Sequence, residues 1–551
     1  MPKGSGKKRA RLTAILIAVA FAFTVFIFAP VEQYLLSQNE SEIWFDLSDL
    51  LPILLPAFVL CAAILGGLLC IVPAKVRRIG MALIVGLTLC LYLQGNFLNP
   101  DYGELDGRAV KWDHFTGYAI WNTAFWITVP AIMIVLAVKK RKVFVTVVRA
   151  LAAVLLIIQA VTLCTALIMH PPVENHENWV VSDLDQFTLG TEANTVIFVA
   201  DACDSTYLPQ ILENDPDALS ALDGFTYFPD YAGAYSKTKM GLPYTLTQRW
   251  YENDEAVENY LNRAYTDVPL YNQLTADQWD VRVYSSNAYL APSAIGVFRN
   301  VINAETTVGS YPRLFARMMR FAGYRYAPHL LKPCLVFYSG DLEFERAAST
   351  EAQPYYKDNY IYRDRMNALG LSQREGKAFI VYHLNGSHLP CSMTAEGENV
   401  GSWNTTALEQ TIGVFRTMIG PYLEQMKALG IYDDANIIIT ADHGRFDEGP
   451  SAPIFLLKPA GAHGKIAYNN AMVSVSDLHA TLLKLCGLET EGEAVFEIDP
   501  AQERERRYLY YPTTRANGGT LPPLTEYRVE RGLTYVPTGV VLEGGSENIK
   551  K

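Results

Sequence analysis

Two apolar runs end in side chains suited to holding a metal ion. The run Ile437–Ile439 passes through Thr440 and Ala441 into Asp442-His443-Gly444, and the run Thr195–Ala200 passes into Asp201. Short continuous apolar runs read as strands of a parallel sheet, and the C-terminal ends of such strands are where open α/β sheets place ligands. An Asp and a His side by side at one end can both reach one ion. A second Asp at another end, far away in sequence, predicts a single shared site. Two more segments stand out: Thr238 in the polar loop Ser236-Lys237-Thr238-Lys239, and His388 in Gly386-Ser387-His388-Leu389-Pro390 after another apolar run.

Each position alone has an ordinary explanation. An Asp after a strand commonly caps a helix, although Asp204, just ahead of Ser205 and Thr206, is the better cap here. A Thr in a polar loop is usually solvated, and a His in a Gly-Ser loop is usually a surface hydrogen-bonding residue. One common task explains the four better than four separate accidents.

These segments must be positioned by a larger frame. The chain has 551 residues, half of them hydrophobic, with a net charge of -11 that argues against general nucleic-acid binding. The eight cysteines are scattered and form no C-x-x-C. Most of the apolar excess precedes residue 170. Leu12–Ala29, Leu51–Val72, Ile79–Leu93, Tyr118–Val138 and Ala150–Met169 have membrane-spanning length or nearly so, which predicts about five transmembrane helices. Lys3–Arg11, Lys75–Arg78 and Lys139–Lys142 are basic, whereas the intervening loops are acidic or mixed. The positive-inside rule then places the N-terminus in the cytoplasm and everything after the fifth span outside. Residues 171–190 read as a linker. From 191 to 500 strands alternate with helices, at Thr195–Ala200, Phe225–Phe228, Val281–Ser285, Ala378–His383, Ile437–Thr440 and Ile454–Leu457 for strands and Ser205–Glu213, Thr406–Leu429 and Ser476–Cys486 for helices. That alternation predicts an α/β domain with a mainly parallel sheet. Residues 501–551 read as a small β subdomain.

On these residues the outer part resembles the alkaline phosphatase/sulfatase superfamily, and the whole plan resembles its membrane-bound lipoteichoic acid synthases and lipid phosphoethanolamine transferases. Asp201 matches an acidic ligand after the first strand, a position where those transferases usually carry Glu. Thr238, five residues before Pro243, matches the threonine nucleophile; Gly386–Pro390 matches Gly-Ser-His-x-Pro; Asp442–Gly444 matches Asp-His-Gly. There are departures. The paired cysteines near the nucleophile are missing, Phe455 stands where a further His is found, and His463 is a poor substitute. Gly241 stands where true sulfatases carry the Cys or Ser that becomes formylglycine, so sulfatase chemistry is disfavoured.

The resemblance implies one divalent ion held by Asp201, Asp442, His443 and the Thr238 oxygen. Mixed oxygen and nitrogen ligation suits zinc or manganese and also admits magnesium. Thr238 would take up a substituted phosphoryl group, with His388 stabilising phosphoryl oxygens or protonating the leaving alkoxide. Lys237, Lys239 and Arg445 would draw anionic substrate, although loop cations are commonly just solvated, and His383 would support the site. The expected activity is transfer of a phosphoglycerol or phosphoethanolamine group from a phospholipid donor to a cell-surface glycan or lipid. A phosphodiesterase, phosphatase or sulfatase-like hydrolase is the alternative enzyme, and an inactive membrane sensor or scaffold the alternative outside enzymes.

Overall fold

The computed structural model describes residues 3–38, 43–103, 107–445, 449–513 and 519–545. The chain divides into two compact units, one made of Met1–Glu177 with Thr306–Ala347 and the other of Asn178–Glu305 with Ala348–Lys551.

The first unit holds five helices long and apolar enough to cross a membrane: Lys8–Ser37, Leu47–Ile71, Ala74–Leu98, Trp112–Lys139 and Val143–Met169. Their apolar side chains face outward as well as inward, as Val59, Leu60, Ile127 and Ile157 do, which fits a lipid solvent rather than water. Inside, Ala14, Ile17, Met81, Val85, Met133 and Val148 form a packed seam. The first helix extends past the apolar run to Ser37, so Glu32 lies within it rather than in a loop. Glu32 is buried, and its carboxylate sits 3.9 Å from Arg325, in the segment 306–347. That segment carries the helix Tyr311–Tyr326, which buries Leu314, Met318 and Phe321.

The second unit is built on a seven-stranded sheet. Its strands are β1 (Ala193–Ala200), β2 (Thr226–Tyr227), β3 (Trp279–Tyr284), β4 (Lys377–Leu384), β5 (Ala435–Thr440), β6 (Phe455–Lys458) and β7 (Ala467–Tyr468). They lie in the order β7-β2-β6-β5-β1-β4-β3. The central run β5-β1-β4-β3 is parallel throughout. Alternate side chains serve opposite faces: Ile197, Val199, Phe379, Val381 and Ile438 enter one hydrophobic cluster, and Val196, Phe198, Ile380, Ile437 and Ile439 the other. A sheet covered on both faces needs apolar residues at every position, and that is why these strands read as unbroken apolar runs. Helices Tyr207–Asn214, Ala407–Val414 with Gly420–Ala428, and Leu478–Leu485 occupy the expected places. A separate antiparallel sheet follows, with β8 (Arg507–Tyr510), β9 (Leu524–Glu530) and β10 (Thr534–Leu542).

Candidate active site and metal centre

Register brings the candidate residues together. Ala200 of β1 lies opposite Leu384 of β4, and Val199 opposite Thr440 of β5. The three strands run in the same direction, so the residues that follow them emerge at one edge. Asp201 leaves β1, Asp442 and His443 leave β5, and His388 follows β4, where His383 is the penultimate residue. All five are buried. The close fit demands glycine twice. Gly386 has φ +58, and a Cβ there would meet the Asp201 amide at 2.5 Å; a Cβ on Gly241 would meet the Asp442 carbonyl at 2.5 Å.

Thr238 begins the helix Thr238–Thr247 and is buried. Its Oγ1 donates to Asp201 Oδ2 at 3.3 Å and lies 3.2 Å from His443 Nε2. The neighbouring Ser236 hydroxyl is bound both ways to the backbone of Tyr511, donating to its carbonyl and accepting from its N–H, each at 3.0 Å. Of the two hydroxyls in this loop, Thr238 is the one aimed at the cluster.

Asp201, Asp442 and His443 each present a ligand atom, with all of these atoms within 4.8 Å of one another. Their hydrogen bonds leave particular atoms over. Asp201 Oδ2 accepts from Lys357 Nζ at 2.6 Å and from Thr238, whereas among the described residues Oδ1 has no hydrogen-bond partner. Asp442 Oδ1 accepts from the Ala202 N–H at 3.4 Å, whereas Oδ2 has none among the described residues. His443 donates from Nδ1 to the Gly444 carbonyl, which turns Nε2 toward Asp201 Oδ1 at 3.4 Å and Asp442 Oδ2 at 3.7 Å. Two buried carboxylate oxygens without donors and one imidazole nitrogen therefore face a common point. Buried polar atoms are nearly always satisfied, and a divalent cation satisfies these three at once.

The electrostatics agree. Burial alone would lower the His443 pKa, but Asp442 and Asp201 outweigh it and raise it. The two carboxylates favour positive charge at Nε2, whether it comes from a proton or from a cation. Burial works against the Asp201 carboxylate, yet Lys357 first, then His388, His383 and His443, hold it well below the usual range. Burial pushes His388 down to about 4, with Asp201 opposing. Its Nδ1 donates to the Leu389 carbonyl, which leaves Nε2 as the nitrogen able to exchange protons.

His383 is fully buried. Its Nδ1 bonds to Ser285 Oγ at 2.9 Å, and its Nε2 points at Asp201 Oδ2 from 3.5 Å, so it steadies the carboxylate. Lys237 and Lys239 flank Thr238 half-buried. Lys237 provides the backbone carbonyl that accepts from the Gly241 N–H at the start of the helix. Arg445 is exposed, and its backbone N–H donates to Asp204 Oδ2 at 3.1 Å. Asp204 Oδ1 also accepts from Thr206, so Asp204 organises the turn before the helix Tyr207–Asn214 and leaves Asp201 for the cluster. His463 pairs with Asp223 at an exposed turn instead.

Lys357 is the residue that the sequence reading did not single out. Tyr355 OH donates to the His383 carbonyl at 2.9 Å, and the Asn359 side chain both donates to and accepts from the backbone of Gly386, each at 3.0 Å. These three bonds strap residues 355–359 across the end of β4 and deliver the Lys357 ammonium to Asp201. Nothing in Tyr355-Tyr356-Lys357-Asp358-Asn359 marks it, because its role comes from the strap and not from a motif.

No family model matches this chain, and no curated protein does. Solved structures do show likeness. The lipoteichoic acid synthase LtaP from Listeria monocytogenes is 12% identical, over 65% of this chain and 91% of that one, with a TM-score of 0.35. A protein in the alkaline phosphatase superfamily from Vibrio parahaemolyticus is 14% identical, over 66% and 84%, with a TM-score of 0.35. The phosphonate monoester hydrolase SpPMH from Silicibacter pomeroyi is 14% identical, over 63% and 88%, with a TM-score of 0.37. These are remote likenesses, and the chemistry below follows from this chain's own side chains.

Proposed function

We propose that this chain is a membrane-bound, divalent-cation-dependent phosphotransferase that moves a substituted phosphoryl group from a phospholipid to an acceptor hydroxyl through Thr238. The observation that carries the reading is the meeting of Thr238 Oγ1 with the unpartnered Asp201 Oδ1, Asp442 Oδ2 and the His443 imidazole. Asp201, Asp442, His443 and Thr238 would hold the ion, and zinc, manganese and magnesium are the candidates for this donor set. When bound, it lowers the pKa of a ligated hydroxyl and neutralises phosphoryl charge.

The side chains divide the remaining work. Thr238 Oγ1 bonds to phosphorus as the bond to the leaving alkoxide breaks. Its position at a helix start adds the partial positive charge of the free N–H groups. His388, neutral before substrate arrives, takes up the proton that Thr238 gives up on attack and, as the imidazolium, passes it to the leaving alkoxide. In the second half, an acceptor hydroxyl displaces Thr238, and His388 takes that hydroxyl's proton and passes it to the departing Thr238 Oγ1. Lys357 Nζ, with Lys237 and Lys239 on the loop, favours the anionic group. A phospholipid donor suits a catalytic unit tethered to five membrane-spanning helices, and the basic ends of those helices support a location outside the cytoplasm.

The test is exposure of purified protein to phospholipid with a labelled headgroup, followed by mass spectrometry. A labelled adduct on Thr238, absent in Thr238→Ala, and a labelled acceptor are expected. An adduct on Ser236 would move the nucleophile. Release of headgroup phosphate to water alone would make the enzyme a hydrolase.

A further inference from the structure

The segment 306–347 departs from the second unit and packs with the membrane helices, and one face of it is matched to lipid. The Trp44 indole donates to the Leu342 carbonyl at 2.9 Å, Asn99 Nδ2 to the Arg325 carbonyl at 2.9 Å, and the His329 N–H to Asn122 Oδ1 at 2.9 Å. These partners sit at the ends of the spans remote from Lys75–Arg78 and Lys139–Lys142. The turn His329–Leu331 therefore lies against the first turns of the span Trp112–Lys139.

There it leaves two leucines outside. Leu330 is 69% and Leu331 51% exposed, and on the span itself Ile120 is 70% and Trp121 50% exposed. Between the turn and the span, Tyr102, Trp112, Phe115 and Tyr118 surround the His329 ring. Such an aromatic cluster marks the headgroup level of a bilayer. The charge also fits. Between Gly309 and Gly340 stand Arg313, Arg317, Arg320, Arg325 and Lys332 and no Asp or Glu, in a chain whose net charge is -11. Arg313 and Arg317 bond to Glu345, at 2.9 and 2.7 Å, and Arg325 bonds to the Gly95 carbonyl. Arg320 is exposed and, among the described residues, makes no ion pair.

We propose that Tyr311–Leu335 is seated in the outer headgroup layer, with Leu330 and Leu331 among acyl chains and Arg320 on the phosphate of an acidic phospholipid. Basic side chains beside an apolar edge are the pattern by which helices bind anionic bilayers. This rests on the membrane reading alone and stands whichever reaction the second unit performs.

Full-length Leu331→Trp in nanodiscs tests it by the emission it adds over the parent. Acyl-brominated phosphatidylglycerol should quench that emission severalfold, and acyl-brominated phosphatidylcholine less. Arg320→Glu should abolish the difference. Unquenched emission in both lipids would mean water or a protein partner covers the turn, and would overturn the proposal. Equal quenching in both, or a difference that survives Arg320→Glu, would overturn the preference for acidic lipid. Hydrogen exchange of the unmutated protein is independent of how the variants fold. The amides of residues 327–335 should exchange severalfold more slowly in phosphatidylglycerol discs, and equal rates would overturn the same claim.

Discussion

Asp201 has its two oxygens in different circumstances, and mutations at its partners should separate their effects. Thr238→Ala removes the proposed nucleophile but leaves both carboxylates and His443. Turnover should fall by ~10³ or more, with divalent-ion affinity by titration calorimetry changed far less. A parallel loss of both would mean Thr238 matters chiefly as a ligand. Lys357 makes the opposite prediction. Its ammonium is the nearest positive charge to a fully buried carboxylate. Removing one partner of such a pair leaves a buried charge uncompensated, at a cost of about 3 kcal/mol. Lys357→Met should therefore lower the melting temperature in chelator and recover much of it on adding zinc or manganese, which supply the missing charge. If the ion restores no more stability to the variant than to the parent, Lys357 and the cation do not act on the same carboxylate. Asp201, Asp442 and His443 stood out in the sequence because each follows an apolar strand run, whereas Thr238 read as a polar-loop residue and was singled out by the resemblance, its helix start being unmarked. Lys357 did not stand out, since hydrogen bonds between strands and loops place it.

The elements carry tolerances as tight as the side chains. The helix Thr238–Thr247 passes so close to the Asp442 backbone that Gly241→Ala must displace one of them. Overpacking of this kind costs ~1–3 kcal/mol. It should cost catalysis more, roughly 10²-fold in turnover, because it moves Thr238 and Asp442 apart; activity falling no further than stability accounts for would refute that close approach. The helix Leu478–Leu485 offers a pH prediction. His479 is buried, and its Nε2 donates to the Leu246 carbonyl at 3.1 Å. Burial pushes its pKa from 6.5 down to about 4. As pH falls below 6.5 the unfolded chain takes up this proton first, so stability is full above 6.5 and declines toward pH 4. The whole effect is on the order of 3 kcal/mol. His383 and His388 are lowered too and tilt the curve the same way. His479→Gln, which keeps a donor for Leu246, should remove only its own share of the slope in urea midpoints measured against pH, and an unchanged slope would contradict a buried neutral His479. The strands of the second unit were readable because parallel strands are apolar on both faces. The helices Thr238–Thr247, Val257–Ala264, Pro269–Ala276 and Asn359–Leu369 were not identified. They are short, and Pro243 or polar residues break their period, so contacts with the sheet rather than propensity hold them.

At the scale of the whole chain, the sequence reading placed no element between 306 and 347, although the segment joins the first unit. Its helix Tyr311–Tyr326 is Arg-rich and lies far along the chain from the spans it packs against, and periodicity cannot report a partner that distant. Its placement supports the orientation drawn from loop charges. Trp44, Asn99 and Asn122, which bond to it, stand next to acidic or mixed loops, while the basic runs lie at the other ends of the same helices. One covalent chain links Met169, the end of the fifth span, to the second unit, so that unit and the segment 306–347 should share a side. Cysteine scanning checks this in intact cells. Glu491 is exposed in the second unit, and Lys140 is exposed between the fourth and fifth spans. A membrane-impermeant thiol reagent should add label to Glu491→Cys over the parent and none to Lys140→Cys until the membrane is opened. Label on Lys140→Cys alone would invert the protein, and a phospholipid headgroup of the outer leaflet could then no longer be the donor that reaches Thr238.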